Sequence, residues 1–441
     1  MKFQANRVMY LLAGGILLAG CGWFRSSPKA VSQGAPPAVR YSPARDGLPT
    51  TKIWKSQIAF GDINGDGFPD LGVVSRLADG PYIYAGDGKG HWTDASSGLP
   101  RESFCGGGMS FGDANNDGKM DVAIADHCRG VFVYLGDGTG HWTNASAGLP
   151  TVGCEDVAVG DFDHDGCLDL VVVAAAEEGV RAFKGNCKGV WKESSEGLPH
   201  AEWGQAVVMA DVDGDGNLDI AAASAAGPRV WLGDGKGKWR EASEGLPAPD
   251  IHGLYQGIAV GDVNGDGKLD IATGAATTGA EVYIQDPGPK WRKASDGIIP
   301  MNVVFGVALG DVNNDGHVDL VAAGKTALDE IGGVYGVFVF LGDGAGHWKL
   351  VENSGLPATG MEKSWGVGLA DIDRDGVLDI GVAFGDVLSP TWRSGAAKKA
   401  AADKDKDKDK DKKKDENAAK PKAPSRGMFG SIEVWRGQLP K

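Results

Sequence analysis

Seven stretches of this sequence carry oxygen donors at one fixed spacing. The clearest is DVDGDGNLD, in which Asp211, Asp213, Asp215 and Asp219 hold positions 1, 3, 5 and 9 around a glycine at position 6. The same places are held by Asp62, Asn64, Asp66 and Asp70; by Asp113, Asn115, Asp117 and Asp121; and by Asp161, Asp163, Asp165 and Asp169. Further along they are held by Asp262, Asn264, Asp266 and Asp270, by Asp311, Asn313, Asp315 and Asp319, and by Asp371, Asp373, Asp375 and Asp379. Hard oxygen ligands at alternate positions with a sharp turn between them suit Ca²⁺. Position 7 varies freely, from Phe68 to His317, as expected of a residue lending only its backbone carbonyl. An EF-hand is excluded, because its bidentate Glu at position 12 is replaced by apolar residues such as Val73, Ala222 and Val382. A metal-free Asp/Asn/Gly turn between strands is the competing reading. It leaves 24 carboxylates in seven self-repelling loops, so the expectation is up to seven structural calcium ions.

The elements that must position these loops repeat with them. The first aspartates are 51, 48, 50, 51, 49 and 60 residues apart, which makes a repeat array of the whole chain. In the second unit, MSFGD leads into the loop, VAIAD and GVFVYLG follow as strands, and a DGTG turn leads to HWTNASAGLP. Each unit thus reads as a four-stranded antiparallel meander, A to D. Strand D carries Trp92, Trp142, Trp191, Trp239, Trp291 and Trp348 at one register, expected to pack between neighbouring sheets. The seventh unit lacks its strand D, and YSPARDGLP, residues 41–49, matches WTDASSGLP, residues 92–100, without a gap. The N-terminal strand is therefore expected to complete the last unit and close a ring, which removes the exposed sheet edges. The fold class is all-β: a β-propeller of seven four-stranded antiparallel blades, spanning residues 39–437.

Composition supports one such body. The 70 glycines and the absence of long helical patterns suit many short strands. A net charge of −15 would be almost cancelled by seven Ca²⁺, and no basic face is left for nucleic acid. Residues 395–427, rich in alternating Lys and Asp, interrupt the seventh unit and read as a disordered insertion.

At the N-terminus, Lys2 and Arg7 precede an apolar stretch from Val8 to Ala19. Leu18-Ala19-Gly20-Cys21 resembles the lipobox of bacterial lipoproteins. That resemblance implies a signal peptide over residues 1–20, lipidation of Cys21, a Pro/Ser-rich tether over 21–38, and a lipid-anchored place in the cell envelope. With Gly22 after the cysteine, the outer membrane is the better expectation.

The units GIAVGDVNGDGKLDIATG and GVALGDVNNDGHVDLVAAG resemble FG-GAP or VCBS-type repeats, which form the seven-bladed propeller of integrin α chains. The resemblance covers residues 39–437 and implies calcium in the A–B turns in a structural role. Propeller topology sets those turns and the C–D turns on one face, and the B–C and D–A connections on the other. On that second face, the starts of strand A carry Trp54, Lys55, Glu155, Asp156, Trp203, Gln205, Tyr255, Gln256, Phe305 and Trp365. They differ between blades, as ligand contacts on a constant scaffold do, and suit a sugar, a cation or a protein loop. The competing reading is that they plug the central opening and satisfy one another.

Of the cysteines after Cys21, Cys167 and Cys187 share the calcium face and Cys105 and Cys128 the opposite one, which makes two disulfide candidates. Pairing of Cys128 with Cys154 across blades is an alternative. Glu155 with Asp156, Glu177 with Glu178, and His127, His200 and His252 could supply acid/base groups, none within a catalytic motif. The expected function is a calcium-stabilised, monomeric binding or adhesion module for protein or glycan. The alternatives are a polysaccharide lyase or hydrolase and a structural component of an envelope complex.

Overall fold

The computed structural model describes residues 39–440, apart from 175–178, 201–202, 225–226, 248–253, 289, 327–334, 359–360, 362 and 388–427. The signal segment, Cys21, the tether, the insertion 395–427, Glu177, Glu178 and His252 lie outside the described residues.

Glycine-bounded apolar runs of five to eight residues are too short for helices, and they form strands. In blade 4, strands A (Gly204–Ala210), B (Asp219–Ser224), C (Gly227–Gly233) and D (Trp239–Glu241) pair in chain order and antiparallel. Seven such sheets follow one another around a ring. Strand B is buried along its whole length in blades 3, 4 and 5, because a neighbouring blade covers each face. This is why the DLVVVA, DIAAAS and DIATGA runs do not alternate with polar residues.

The ring closes as the repeat pattern requires. Arg40–Pro43 pairs antiparallel with Ile432–Gln438, which places Tyr41 opposite Gly437. Trp142 stands opposite Gly136 in the same way. Tyr41 thus takes the tryptophan register of a strand D. Its amide donates to the Ser354 carbonyl of blade 6 at 2.7 Å, and Arg45 pairs with Glu433.

The tryptophans join blade to blade. The Trp142 indole N–H donates to Ala95 O of blade 1 at 2.8 Å, and Trp291 and Trp348 do the same to Ala242 and Ala294, each at 2.8 Å. Trp92 reaches back across the closure to Ala44 O at 2.9 Å. Each ring is buried, so it contributes a large apolar area as well as a satisfied donor.

Along the axis, residues of the A strands such as Ile58, Val159, Val208, Met209, Ile258, Leu309 and Val367 line an apolar cavity of about 780 Å³. Gln57 borders it towards the face that carries the B–C and D–A connections, and Asp62, Asp211 and Asp371 border it towards the A–B loops.

Truncating an inter-blade tryptophan should be far more harmful than removing its donor alone. Trp142→Ala is expected to cost about 3–5 kcal/mol, and Trp142→Phe about 1 kcal/mol for the lost bond. Urea unfolding measures both, and equal small effects would show that the indole does not join the blades.

Candidate functional site

The A–B loops share one backbone. In all seven, the position 1 carboxylate accepts the N–H of the position 6 glycine, as Asp211 does from Gly216 at 2.9 Å. That glycine has positive φ throughout, 91° at Gly216, which explains why nothing else occupies position 6. The position 9 aspartate is buried and accepts twice. Asp219 takes the Val212 N–H and, from the end of strand C, the Gly233 N–H, each at 2.8 Å. Burial above all pushes its carboxyl up to about 7, and that of Asp379 to about 8, against the pull of the backbone donors.

These donor sets fit a hard divalent cation. In loops 3, 4 and 7 the carboxylates at positions 1, 3 and 9 each bring one oxygen within 4.8 Å of the others. The remaining loops offer an asparagine amide oxygen at position 3 instead. The groups able to hold an ion are Asp62, Asn64, Asp66 and Asp70 in loop 1 and their equivalents in the other six loops.

The opposite face is built by a local irregularity of strand A. In blades 3, 4, 5 and 7, the pairing of strand A with strand B shifts register at one place, leaving one unpaired residue. Those residues are Glu155, Gln205, Gln256 and Trp365. A β-bulge re-aims the side chain it carries, and all four line one shallow pocket at the mouth of the axial cavity, with Lys55, Ser56, Gln57 and Gly107. Each of the four lies six residues before the first aspartate of its loop, as do Ser56, Gly107 and Phe305. That constant offset is a signal the sequence carried; the bulge that gives it meaning is not.

Glu155 is the electrostatic centre of this pocket. Its side chain is 2% exposed; Lys55 Nζ lies 2.6 Å from Oε2, His127 Nδ1 2.5 Å from Oε1, and the Trp203 indole N–H 3.3 Å from Oε1. Burial pushes its carboxyl up, but the His127 hydrogen bond and the Lys55 charge outweigh burial and hold it below the usual glutamate range. A carboxylate so held accepts hydrogen bonds and does not donate a proton at neutral pH. Across the mouth, the Trp365 ring is ringed by cations: Lys363 at 4.0 Å, Lys55 at 5.6 Å and Arg76 at 5.9 Å from its centroid.

Not every expected ligand residue reaches this surface. Trp54 is fully buried, its indole bound to Thr51 O at 2.9 Å and its ring edge-on to Tyr82. Asp156, also fully buried, accepts the Val207 N–H at 2.9 Å and so joins blades 3 and 4. Tyr255, one residue before a bulge, points into the core between blades 4 and 5. None of the three is a ligand contact: Asp156 and Tyr255 stand beside the bulge of their A strands and turn inward, and Trp54 lies before strand A of blade 1 (Ala59–Gly61), packed on Tyr82. Phe305 is buried beneath Trp365, with ring centroids 5.4 Å apart, and acts as its support. Trp203 is 44% exposed and offers its face to solvent. Expectation from sequence passed over Arg76 and Lys363, whose position beside Trp365 depends on neighbouring chain segments.

Disulfides pin both faces. Cys167 in loop 3 is bonded to Cys187 in the C–D turn, and Cys105 to Cys128, next to His127. Cys154 is buried, with its thiol 3.4 Å from Val152 O.

A depressed folded-state pKa contributes stability above the unfolded value that is lost as pH falls. Glu155→Gln is therefore expected to cost about 3 kcal/mol at neutral pH. That difference should shrink below about pH 4.3 as the wild-type carboxylate protonates. Unfolding of both forms between pH 3 and 7 measures it, and a pH-independent difference would rule out an ion-pair role.

Comparison with known proteins adds the family. The FG-GAP-like repeat matches residues 62–124, 113–172, 168–222 and 211–273. No curated protein matches the sequence. Among solved structures, similarity is found to an Agrocybe aegerita lectin described for specific recognition of non-reducing terminal N-acetylglucosamine. It has 16% identity and a TM-score of 0.41 over 71% of this chain and 84% of that one. A triple arginine-to-alanine mutant of AofleA from Arthrobotrys oligospora shows 12% identity and a TM-score of 0.44 over 75% and 92%. With seven repeated loops and seven four-stranded blades, the chain is a seven-bladed β-propeller that carries FG-GAP-like repeats over residues 62–273.

Proposed function

We propose that this propeller is a calcium-stabilised binding module, lipid-anchored in the cell envelope through Cys21 and reading a glycan or protein ligand at the bulged mouth. The observation that carries this reading is the ring of bulge residues. One backbone device, repeated at one offset, presents Glu155, Gln205, Gln256 and Trp365 together and varies only the side chain. Amides and a half-exposed indole suit sugar hydroxyls and ring faces. Lys55, Lys363 and Arg76 around Trp365 work against a cationic ligand and favour one bearing a carboxylate, such as an acidic sugar or an acidic protein loop. Glu155, tied on both oxygens and held ionised, supports binding over general-acid hydrolysis.

A screen of the lipid-free protein against glycans and envelope proteins tests the site. Trp203→Ala and Trp365→Ala should each weaken binding about tenfold or more; full binding by both would move the site off this face, and turnover of a polysaccharide would favour an enzyme. For calcium, seven sites filled at a hundredfold excess over Kd would add about 19 kcal/mol, so chelation should lower the melting temperature by roughly 20 °C for a chain of this size. An unchanged melt with no calcium in elemental analysis would sink this part. Cys21→Ala should move the protein from the membrane to the soluble fraction, and continued membrane association would argue against the lipid anchor.

A further inference from the structure

The seven loops are alike in backbone and unlike in charge. Loops 1, 2, 5 and 6 carry Asn at position 3 and three carboxylates, whereas loops 3, 4 and 7 carry Asp there and four. In the first group the position 3 amide donates to the position 5 carboxylate, as Asn64 does to Asp66 at 3.1 Å and Asn313 to Asp315 at 2.9 Å. In loops 3 and 7 the additional carboxylate is met by a cation from the end of strand C of the same blade. Lys184 Nζ lies 2.7 Å from Asp163 Oδ2, and Arg436 Nε 2.7 Å from Asp373 Oδ2. At the equivalent strand position the other blades have Ala85, Leu135, Leu232, Ile284 and Leu341, none of which carries charge.

Asp at position 3 and a cation on strand C thus occur together in blades 3 and 7, so the carboxylates at positions 1, 3, 5 and 9 together with the strand C cation come to three net negative charges in six of the seven loops; Lys119, Lys268 and Arg374, at other positions of loops 2, 5 and 7, lower the charge of those loops further. Loop 4 departs from this. Asp213 has Leu232 where the others have Lys184 and Arg436, and it makes no ion pair among the described residues. Asp215 receives two neutral donors, the Asn217 backbone N–H at 2.8 Å and its side-chain amide at 3.0 Å. Arg240 acts on Asp213 from a longer range.

We infer that Lys184 and Arg436 neutralise the position 3 carboxylate of their loops, and that loop 4, whose four carboxylates have no ion-pair partner among the described residues, is the tightest calcium site of the ring. This rests on the calcium reading above. Ligand charge count is a principal control of calcium affinity in oxygen-donor loops. Lys184 engages Asp163 Oδ2, while Oδ1 accepts the Asp165 N–H at 3.3 Å, so the paired carboxylate stands in for the asparagine of other loops.

Calcium titration by calorimetry, with native mass spectrometry for stoichiometry, tests this on the wild type, Asp213→Asn and Lys184→Leu. In the wild type one ion should bind about tenfold tighter than the rest. Asp213→Asn keeps an oxygen for the Asp215 N–H, and should remove the tight class while keeping the stoichiometry. Lys184→Leu should produce a second tight ion. Superimposable isotherms for all three proteins, with calcium bound, would overturn the graded sites and leave the calcium reading standing. No calcium bound by any of them, with native circular dichroism, would overturn both.

Discussion

The buried aspartate at position 9 is the constraint on which the rest of this propeller depends. It is taken out of water, which is costly for a carboxylate, and it is offset by two backbone donors from different parts of its blade. One donor lies at the start of the A–B loop and the other at the end of strand C. The same carboxyl group therefore sets the turn and ties it to a strand C donor at least fourteen residues further along the chain. Leaving either donor unmet in the core would cost more than the bond gains, so the arrangement is all or nothing. Repeated seven times, it gives every blade the same link between its A–B loop and the end of strand C.

That rigidity lets the other face vary. Because the loop end of strand A is held by the aspartate network, an extra residue can be accommodated at the opposite end of the strand without disturbing the blade. Blades 3, 4, 5 and 7 each do so at one place. Blade 6 shifts over a longer stretch, between Asn302 and Gly306, and buries Phe305 under Trp365 instead of presenting it. The two faces divide the work: one keeps a constant chemistry that holds the ring, and the other keeps a constant geometry with changing side chains.

Closure is the second economy of the design. Tyr41 replaces tryptophan at the only strand D supplied by the N-terminal segment. It keeps the backbone link to blade 6, and the Arg45–Glu433 pair adds a contact between the two ends of the chain. A seam made from both ends of the ring makes the last blade depend on the strand Arg40–Pro43, and gives that blade the same short outer strand as the others.

The sequence by itself determined the repeat, the loop chemistry, the strand order and the closing strand. Each of these is written in short-range spacing: alternate donors around a glycine, a tryptophan at a fixed register, and an unmatched strand at each end. Only the tertiary structure decided which residues face the mouth. Trp54 and Trp203 occupy the same offset from their loops, yet one is buried against Tyr82 and the other is open to solvent. A bulge, a burial and an ion pair such as Arg436 with Asp373 depend on which segments fold together across tens of residues, and no local pattern records that. Local spacing built the ring, and contacts distant in sequence chose which side chains surround its mouth.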